Sequence, residues 1–348
     1  MPDHPGMRIV IATDAWSPQV NGVVRTLTET RNQLQAMGHD VLMVTPEGRK
    51  TIPCPTYPEI RLAVWQGRSI ARELDDFRPD SIHIATEGPV GLAVRRYCRK
   101  RGLAFTTAYH TQFPEYLRAR IPIPLSWTYA AVRWFHGAAV RNMVPTPDMQ
   151  KRLLERKLRN PVIWTRGVDT GLFVPDPRYS YDLPGPIWVC VGRVAVEKNI
   201  ERFLELPLEG SKVIIGDGPD RERLVREYPN SHFLGYKFGA ELAAHVAGAD
   251  VFVFPSVTDT YGLVMLEAMA CGVPVAAFPV TGPIDVVDHG VTGILDQDLA
   301  KACRGALELN REECRRVAEG RSWAHSTAQF VSHLTPARGS WATSATRA

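Results

Sequence analysis

No apolar run in the 348 residues approaches the roughly 20 that a helix needs to span a bilayer. The opening MPDHPGMRIV lacks a basic segment followed by a long apolar core, so no secretory signal is read there; a strand pattern begins directly after Met7. The six cysteines (Cys54, Cys98, Cys190, Cys271, Cys303, Cys314) form no CxxC pair and no metal-like spacing with histidine. Several lie in apolar runs, the setting of buried free thiols in a reducing cytoplasm. A dinucleotide GxGxxG is missing, because Gly216-Asp217-Gly218-Pro219 has no third glycine. There is no short tandem repeat and no DNA- or RNA-binding motif, which sets nucleic acid aside as a partner.

What is present is the composition of a soluble globular protein, 45% hydrophobic and 22% charged, in a chain long enough for two domains. The net charge of +4 is unevenly spread: residues 1–165 hold 23 Lys and Arg against 14 Asp and Glu, residues 166–348 hold 18 against 23. A basic half beside an acidic half suggests that one half faces an anionic surface or substrate. Strand patterns at Arg8–Thr13, Val41–Val44, Ser81–Ile84, Ala104–Tyr109 and Val162–Trp164 alternate with helical ones, and the plan restarts at Ile187–Val191. Such alternation predicts an α/β fold of parallel sheets with helices on both faces. The expected division is one Rossmann-like domain over 1–165, a second over 166–320, a final helix over 321–335 and a disordered tail over 336–348. The join near Thr165–Gly185 is marked by Pro175, Pro177 and Pro184.

The chemistry centres on Ser256–Pro274, SVTDTYGLVMLEAMACGVP. It follows the apolar strand pattern Asp250–Phe254 and leads through a polar loop into a helix that ends at Gly272. A helix start beside Gly262 offers unpaired backbone N–H groups to an anion such as a diphosphate. Asp259 and Glu267 flank it; carboxylates beside a phosphate site make sense as hydrogen-bond acceptors for hydroxyls, one on a sugar and one on a ribose. The same stretch also fits an ordinary strand–helix unit, with Asp259 as N-terminal helix charge. Gly22, opening a helix after Asn21, would let the backbone approach a phosphate or serve a plain turn. Arg193 and Lys198, five apart at another strand end, have the charge to neutralise a diphosphate, although spacing alone favours a surface pair. His110 follows the strand Ala104–Tyr109, and Glu87 begins a helix after Ser81–Ile84. Asp296-Gln297-Asp298 spells a metal-binding DxD but opens a late helix far from the glycine loops, and reads as helix N-terminal charge.

The pattern acidic-x7-Glu followed by Ala-Met-Ala-Cys-Gly-Val-Pro resembles the signature of the retaining family 4 glycosyltransferases, whose fold is two Rossmann-like domains facing a cleft (GT-B). The resemblance runs from Arg8 to about Leu334. The family usually has Glu where this chain has Asp259; members that glycosylate lipids carry a similar TDT-aromatic-Gly. The resemblance implies transfer of a hexosyl unit from a UDP- or GDP-sugar, with no metal and no cofactor, the nucleotide sugar being a substrate. It assigns donor contacts to Gly22, Arg193, Lys198, Tyr236, Lys237, Asp259, Gly262, Leu263, Val264 and Glu267, and catalytic roles to His110, Asp259, Arg193 and Lys198. Glu87 and Tyr116 fall on the acceptor side, and the last helix packs back on the first domain. Rival readings are a nicotinamide oxidoreductase, disfavoured by the missing GxGxxG, and a non-catalytic sugar-binding protein, which would normally be exported.

A lipid acceptor such as diacylglycerol is suggested by Phe113–Phe135, FPEYLRARIPIPLSWTYAAVRWF, where aromatics mix with Arg118, Arg120 and Arg133. Tryptophan and tyrosine favour the headgroup level, and arginines attract anionic lipid. The expectation is a cytoplasmic protein, peripheral at the inner face of the cell membrane and docked on an anionic surface. Ile121, Ile123 and Leu125, set between prolines, read as a loop; the opposing possibility is that Trp127 and Trp134, seven apart, mark the core face of an ordinary helix.

Overall fold

The computed structural model describes residues 6–54, 57–176 and 179–339. Two six-stranded sheets organise it. The first runs Asp40–Val44, Arg8–Ala12, Ser81–Ile84, Thr106–Ala108, Arg141–Val144, Pro161–Ile163; the second runs His232–Phe233, Ser211–Ile215, Ile187–Val191, Val251–Phe254, Val275–Ala277, Gly293–Leu295. All neighbouring pairs are parallel. Parallel strands covered by helices on both faces bury every side chain whichever way it points, which is why they read as unbroken apolar runs. Ile9, Val10, Ile11 and Ala12 are fully buried, as are Val251, Phe252 and Val253. The architecture is the α/β arrangement expected from the sequence, two Rossmann-like sheets across a cleft.

In each sheet the strand order reverses beside one central strand, Arg8–Ala12 in the first and Ile187–Val191 in the second. Connections leave to opposite sides at such a point and open a crevice at the carboxyl ends of the strands. The segments that follow Ala12, Val191 and Phe254 are therefore the ones placed to bind a ligand.

The chain passes between the sheets twice. It leaves the first after Pro161–Ile163 and returns near residue 321, where Val168 N–H donates to Arg321 O at 2.9 Å. Helix Trp323–His333 then packs on helix Gly22–Ala36 and buries Phe330 against Ile9, Ile11 and Trp164. Ser326 Oγ donates to Thr165 O at 2.7 Å, fixing the helix over the exit strand.

Several local expectations need correction. Thr51–Cys54 pairs antiparallel with Tyr57–Ala63 in a hairpin whose prolines, Pro53 and Pro58 among them, mask a strand pattern. The loop read between prolines is confined to the segment between helices Phe113–Arg120 and Leu125–His136. Pro114 sits in the first turn of its helix, where a missing N–H costs nothing. Trp127 and Trp134 do not mark a core face: they are 72% and 58% exposed, while Tyr129, Val132 and Phe135 of the same helix are buried. In the tail expected to be disordered, Pro336 bridges to Ser81 and Ala337 N–H donates to Asp80 O at 2.7 Å; residues 340–348 lie outside the described residues.

Candidate active site

Gly262 caps helix Leu263–Ala270 with φ +86°, a left-handed backbone that glycine adopts without penalty. A side chain there would meet Met265 Cε at 2.6 Å and Phe254 Cζ at 2.9 Å, so the turn is closed to anything larger. No side-chain hydrogen bond caps this helix, so no side chain takes up the N–H groups of its first turn, which begins with Leu263 and Val264. Within the helix, Glu267 is 4% exposed and pairs with Arg25 Nη1 at 2.5 Å, a residue of helix Gly22–Ala36 on the opposite half. Burial pushes the Glu267 carboxyl above its ordinary value, and the Arg25 charge opposes that rise.

Asp259, in the loop before the helix, takes both oxygens to Lys198 Nζ, at 2.7 and 3.0 Å. Lys198 ends the short turn Val196–Lys198 that follows strand Ile187–Val191, and Arg193 lies in the same connection. Burial alone would lower the lysine, but the charge and hydrogen bond of Asp259, with Tyr116 and Glu197 nearby, hold it above the ordinary lysine range. The cation is thus fixed in place at the carboxyl end of the central strand.

The first half answers from across the cleft. A methyl added to Gly22 would stand 3.5 Å from Leu263 Cδ1, so the two glycine-opened helices face each other. Asn21 caps the first of them, accepting from Val23 and Val24 N–H at 3.0 Å. His110 O accepts from Thr260 Oγ1 at 2.6 Å, and Gln112 Nε2 donates to Asp259 O at 3.3 Å. Arg166 Nη2 lies 3.1 Å from His110 Nδ1. A guanidinium only donates, so Nδ1 must accept and the ring proton sits on Nε2. Burial first, then the charge of Arg166, keeps this histidine neutral, well below its ordinary value. Its Nε2 is buried without a partner among the described residues, a donor available to a ligand hydroxyl.

Tyr116, on helix Phe113–Arg120, stands beside Asp259, Lys198 and Thr258; burial and then the Asp259 charge push its phenol up. With Glu115, Glu197 and Thr258 it lines a cleft of about 830 Å³ between the halves. Asp298 lines this cleft too, with its carboxylate occupied capping helix Leu299–Ala306, the helix N-terminal role read from the sequence. Asp296 pairs with Lys301 at 2.6 Å. Of the remaining sequence candidates, Tyr236 Oη donates to Asp217 O at 3.3 Å beside the Gly216–Gly235 bridge, and Lys237 pairs with Glu241 at 2.5 Å. Glu87 does not join the Asp259–His110 group: its Oε1 is 3.0 Å from His136 Nε2.

Three residues that sequence reasoning passed over belong to the arrangement: Arg25, Arg166 and Gln112. Arg25 falls one turn after Gly22, the spacing that puts it on the same helix face; nothing local marks the other two. Together the groups can do one kind of work. Lys198 and a helix start offer positive charge to a diphosphate, Glu267 and Asp259 offer acceptors to hydroxyls, and His110 offers a neutral donor.

The model described as Glycosyltransferase Family 4 matches residues 20–172, and that described as Glycosyl transferases group 1 matches residues 185–309. A GDP-mannose-dependent alpha-mannosyltransferase of Mycobacterium tuberculosis is 30% identical over 371 aligned residues, covering 96% of this chain and 98% of that protein. An alpha-monoglucosyldiacylglycerol synthase of Acholeplasma laidlawii is 26% identical, covering 77% of this chain and 79% of that protein. Among solved structures, HepE of Anabaena in complex with UDP and glucose superposes with a TM-score of 0.70 at 15% identity, covering 94% of this chain and 98% of that one, a likeness of fold.

Proposed function

We propose that this chain, which belongs to glycosyltransferase family 4, moves a hexosyl unit from a nucleoside-diphosphate sugar to a hydroxyl of a membrane lipid such as diacylglycerol. One observation carries the donor assignment: Lys198, Asp259 and Glu267 gather at the carboxyl ends of the second sheet's central strands, directly opposite Gly22 and His110. In this reading the diphosphate lies on the Leu263–Ala270 helix start and Lys198, with Arg193 behind it. Glu267 accepts from ribose hydroxyls, Asp259 and His110 Nε2–H hold the sugar, and Tyr236 and Lys237 edge the base.

The chemical contribution is electrostatic. Negative charge grows on the departing diphosphate, and a fixed ammonium stabilises it without rearranging in the transition state. This reading gives that role to the Lys198 ammonium, held in place by Asp259, and expects no metal. The leaving phosphate deprotonates the acceptor hydroxyl on the same face of the sugar, which retains the anomeric configuration. GDP-mannose is the donor to test first, since the mannosyltransferase relative spanning nearly the whole chain is named for it. The lipid acceptor rests on the diacylglycerol relative and on the aromatic and basic composition of Phe113–Phe135. No helix among the described residues is long and apolar enough to cross a membrane, and peripheral attachment at the inner membrane face fits that.

The test is a panel of UDP- and GDP-sugars against diacylglycerol, other lipids and water-soluble glycosides, with the anomeric configuration of the product read by NMR. A radiolabelled glycolipid with the donor's configuration is the expected product. Turnover confined to soluble or polysaccharide acceptors would replace the lipid assignment, and an inverted product would overturn the mechanism.

A further inference from the structure

We propose that the outer face of helix Leu125–His136 docks on anionic phospholipid, with a lipid phosphate seated in a small basic cleft at the helix end. This inference rests on the lipid-acceptor reading above. The cleft has a volume of about 400 Å³ and is lined by Arg133, Trp134, Gly137, Lys157, Leu158 and Arg159. Three of these six are cations and none is a carboxylate.

A helix C-terminus ordinarily repels an anion, because its last carbonyls carry negative partial charge. Here that charge is answered from below. Arg95 Nε donates to Phe135 O at 2.9 Å, and its Nη2 donates to Trp134 O at 2.6 Å. The same guanidinium lies 3.9 Å from the centre of the Trp134 ring and supports it. Arg133 Nη1 donates to Arg156 O at 3.3 Å, tying the helix to the turn that carries Lys157 and Arg159. The carbonyls are thereby occupied, and the cations of the rim are left to set the sign of the cleft.

The apolar part adjoins it. Trp127, Ala130, Ala131 and Trp134 are all exposed, at the i, i+3, i+4, i+7 spacing of a single helix face. Trp127 and Trp134 stand about 10 Å apart along the axis. Tryptophans at that depth beside basic residues match the headgroup region of a bilayer; a free phosphate would satisfy the cations and leave both rings in water. From the buried face, Tyr129 Oη donates to Glu115 Oε1 at 2.7 Å, and Glu115 lines the cleft between the halves. The docked helix is thus linked to that cleft through its inner face, by Tyr129 and Glu115.

The full chain is sedimented with phosphatidylglycerol-containing and pure phosphatidylcholine vesicles at low and high salt. The expected result is binding to the anionic vesicles that salt weakens. Arg133→Ala/Lys157→Ala/Arg159→Ala should reduce it on the order of 100-fold, and Trp127→Ala/Trp134→Ala by about tenfold, with circular dichroism and nucleotide affinity unchanged in both. Absence of vesicle binding, or binding indifferent to both variants, overturns the proposal. So does full competition by inorganic phosphate with no effect of the tryptophan pair, which would indicate a soluble-anion site. Transfer to lipid in neutral detergent is measured alongside. Transfer without vesicle binding overturns the docking surface alone, whereas vesicle binding without any lipid product upholds it and overturns the acceptor reading.

Discussion

Glu267 has two possible occupations, and a double-mutant cycle with Arg25 separates them. In the structure it is a buried carboxylate whose partner is a guanidinium from the other half. In the proposed mechanism it accepts from ribose hydroxyls, so donor binding must displace or share Arg25. A hydrogen bond to a charged group is worth roughly 1.5–3 kcal/mol. Glu267→Ala should therefore weaken GDP or UDP binding by about 10- to 150-fold in calorimetry. Breaking a buried pair costs about 3–5 kcal/mol when one charge is left unpartnered. The Arg25 side chain is 30% exposed, which lowers that to about half for Arg25→Ala, read in urea melts. Because Arg25 competes with ribose, its loss should leave nucleotide affinity within about threefold of the parent. Stability should show coupling between the two sites, and nucleotide affinity should follow Glu267 alone. Equal losses of nucleotide affinity in both single variants would refute the reasoning and make Glu267 a clamp between the halves.

Lys198→Ala should lower kcat by about 10²- to 10³-fold, the usual loss for one preorganised charge-stabilising group; a smaller loss in single-turnover kinetics would move that role elsewhere. EDTA should leave the initial rate unchanged, and a large loss restored by Mg²⁺ would return attention to Asp296 and Asp298. Asp259→Glu, the residue usual in the family, should retain activity, whereas Asp259→Ala should reduce kcat more than nucleotide affinity; steady-state kinetics beside calorimetry distinguishes these. Asp14 accepts from Val90 and Gly91 N–H at the start of helix Pro89–Arg101, yet burial raises its carboxyl to about 6. Its folded value exceeds the unfolded one, so the stability linked to this proton is present below about pH 4 and lost as pH rises through 6, about 3 kcal/mol in all. Asp14→Asn should flatten that limb of the urea-melt profile, and an unchanged slope would exclude Asp14 as its source.

The parallel sheets were legible because strands buried on both faces are written as continuous apolar runs, from Arg8–Ala12 to Val251–Phe254. The helix start at Gly262 and the carboxylates around it were legible because strand, loop and helix are consecutive, so spacing along the chain is spacing in space. Arg25 and Arg166 were not, since each acquires its meaning from a partner brought in by the fold, Glu267 and His110. The exposed pair Trp127 and Trp134 was ambiguous for a different reason: a seven-residue interval fixes a common helix face but not whether that face turns inward. The hairpin Thr51–Ala63 was hidden by proline, which a two-stranded outlying ribbon tolerates and a central strand does not.

The return of the chain near residue 321 has a consequence for how this molecule can be taken apart. Val168 N–H and Arg321 O are hydrogen-bonded, so the segment between them begins and ends at one point. The second sheet is then an insertion held by two adjacent passages of chain, and the half built on the first sheet is discontinuous in sequence, its core closed by Phe330 of helix Trp323–His333. A cut after residue 165 would strand Phe330 away from Trp164 and leave the first sheet unfinished, whereas removing 168–321 as a cassette would leave two ends already in register for rejoining. The two joins therefore behave as a single hinge point, and anything inserted there is tethered to the first sheet at one place.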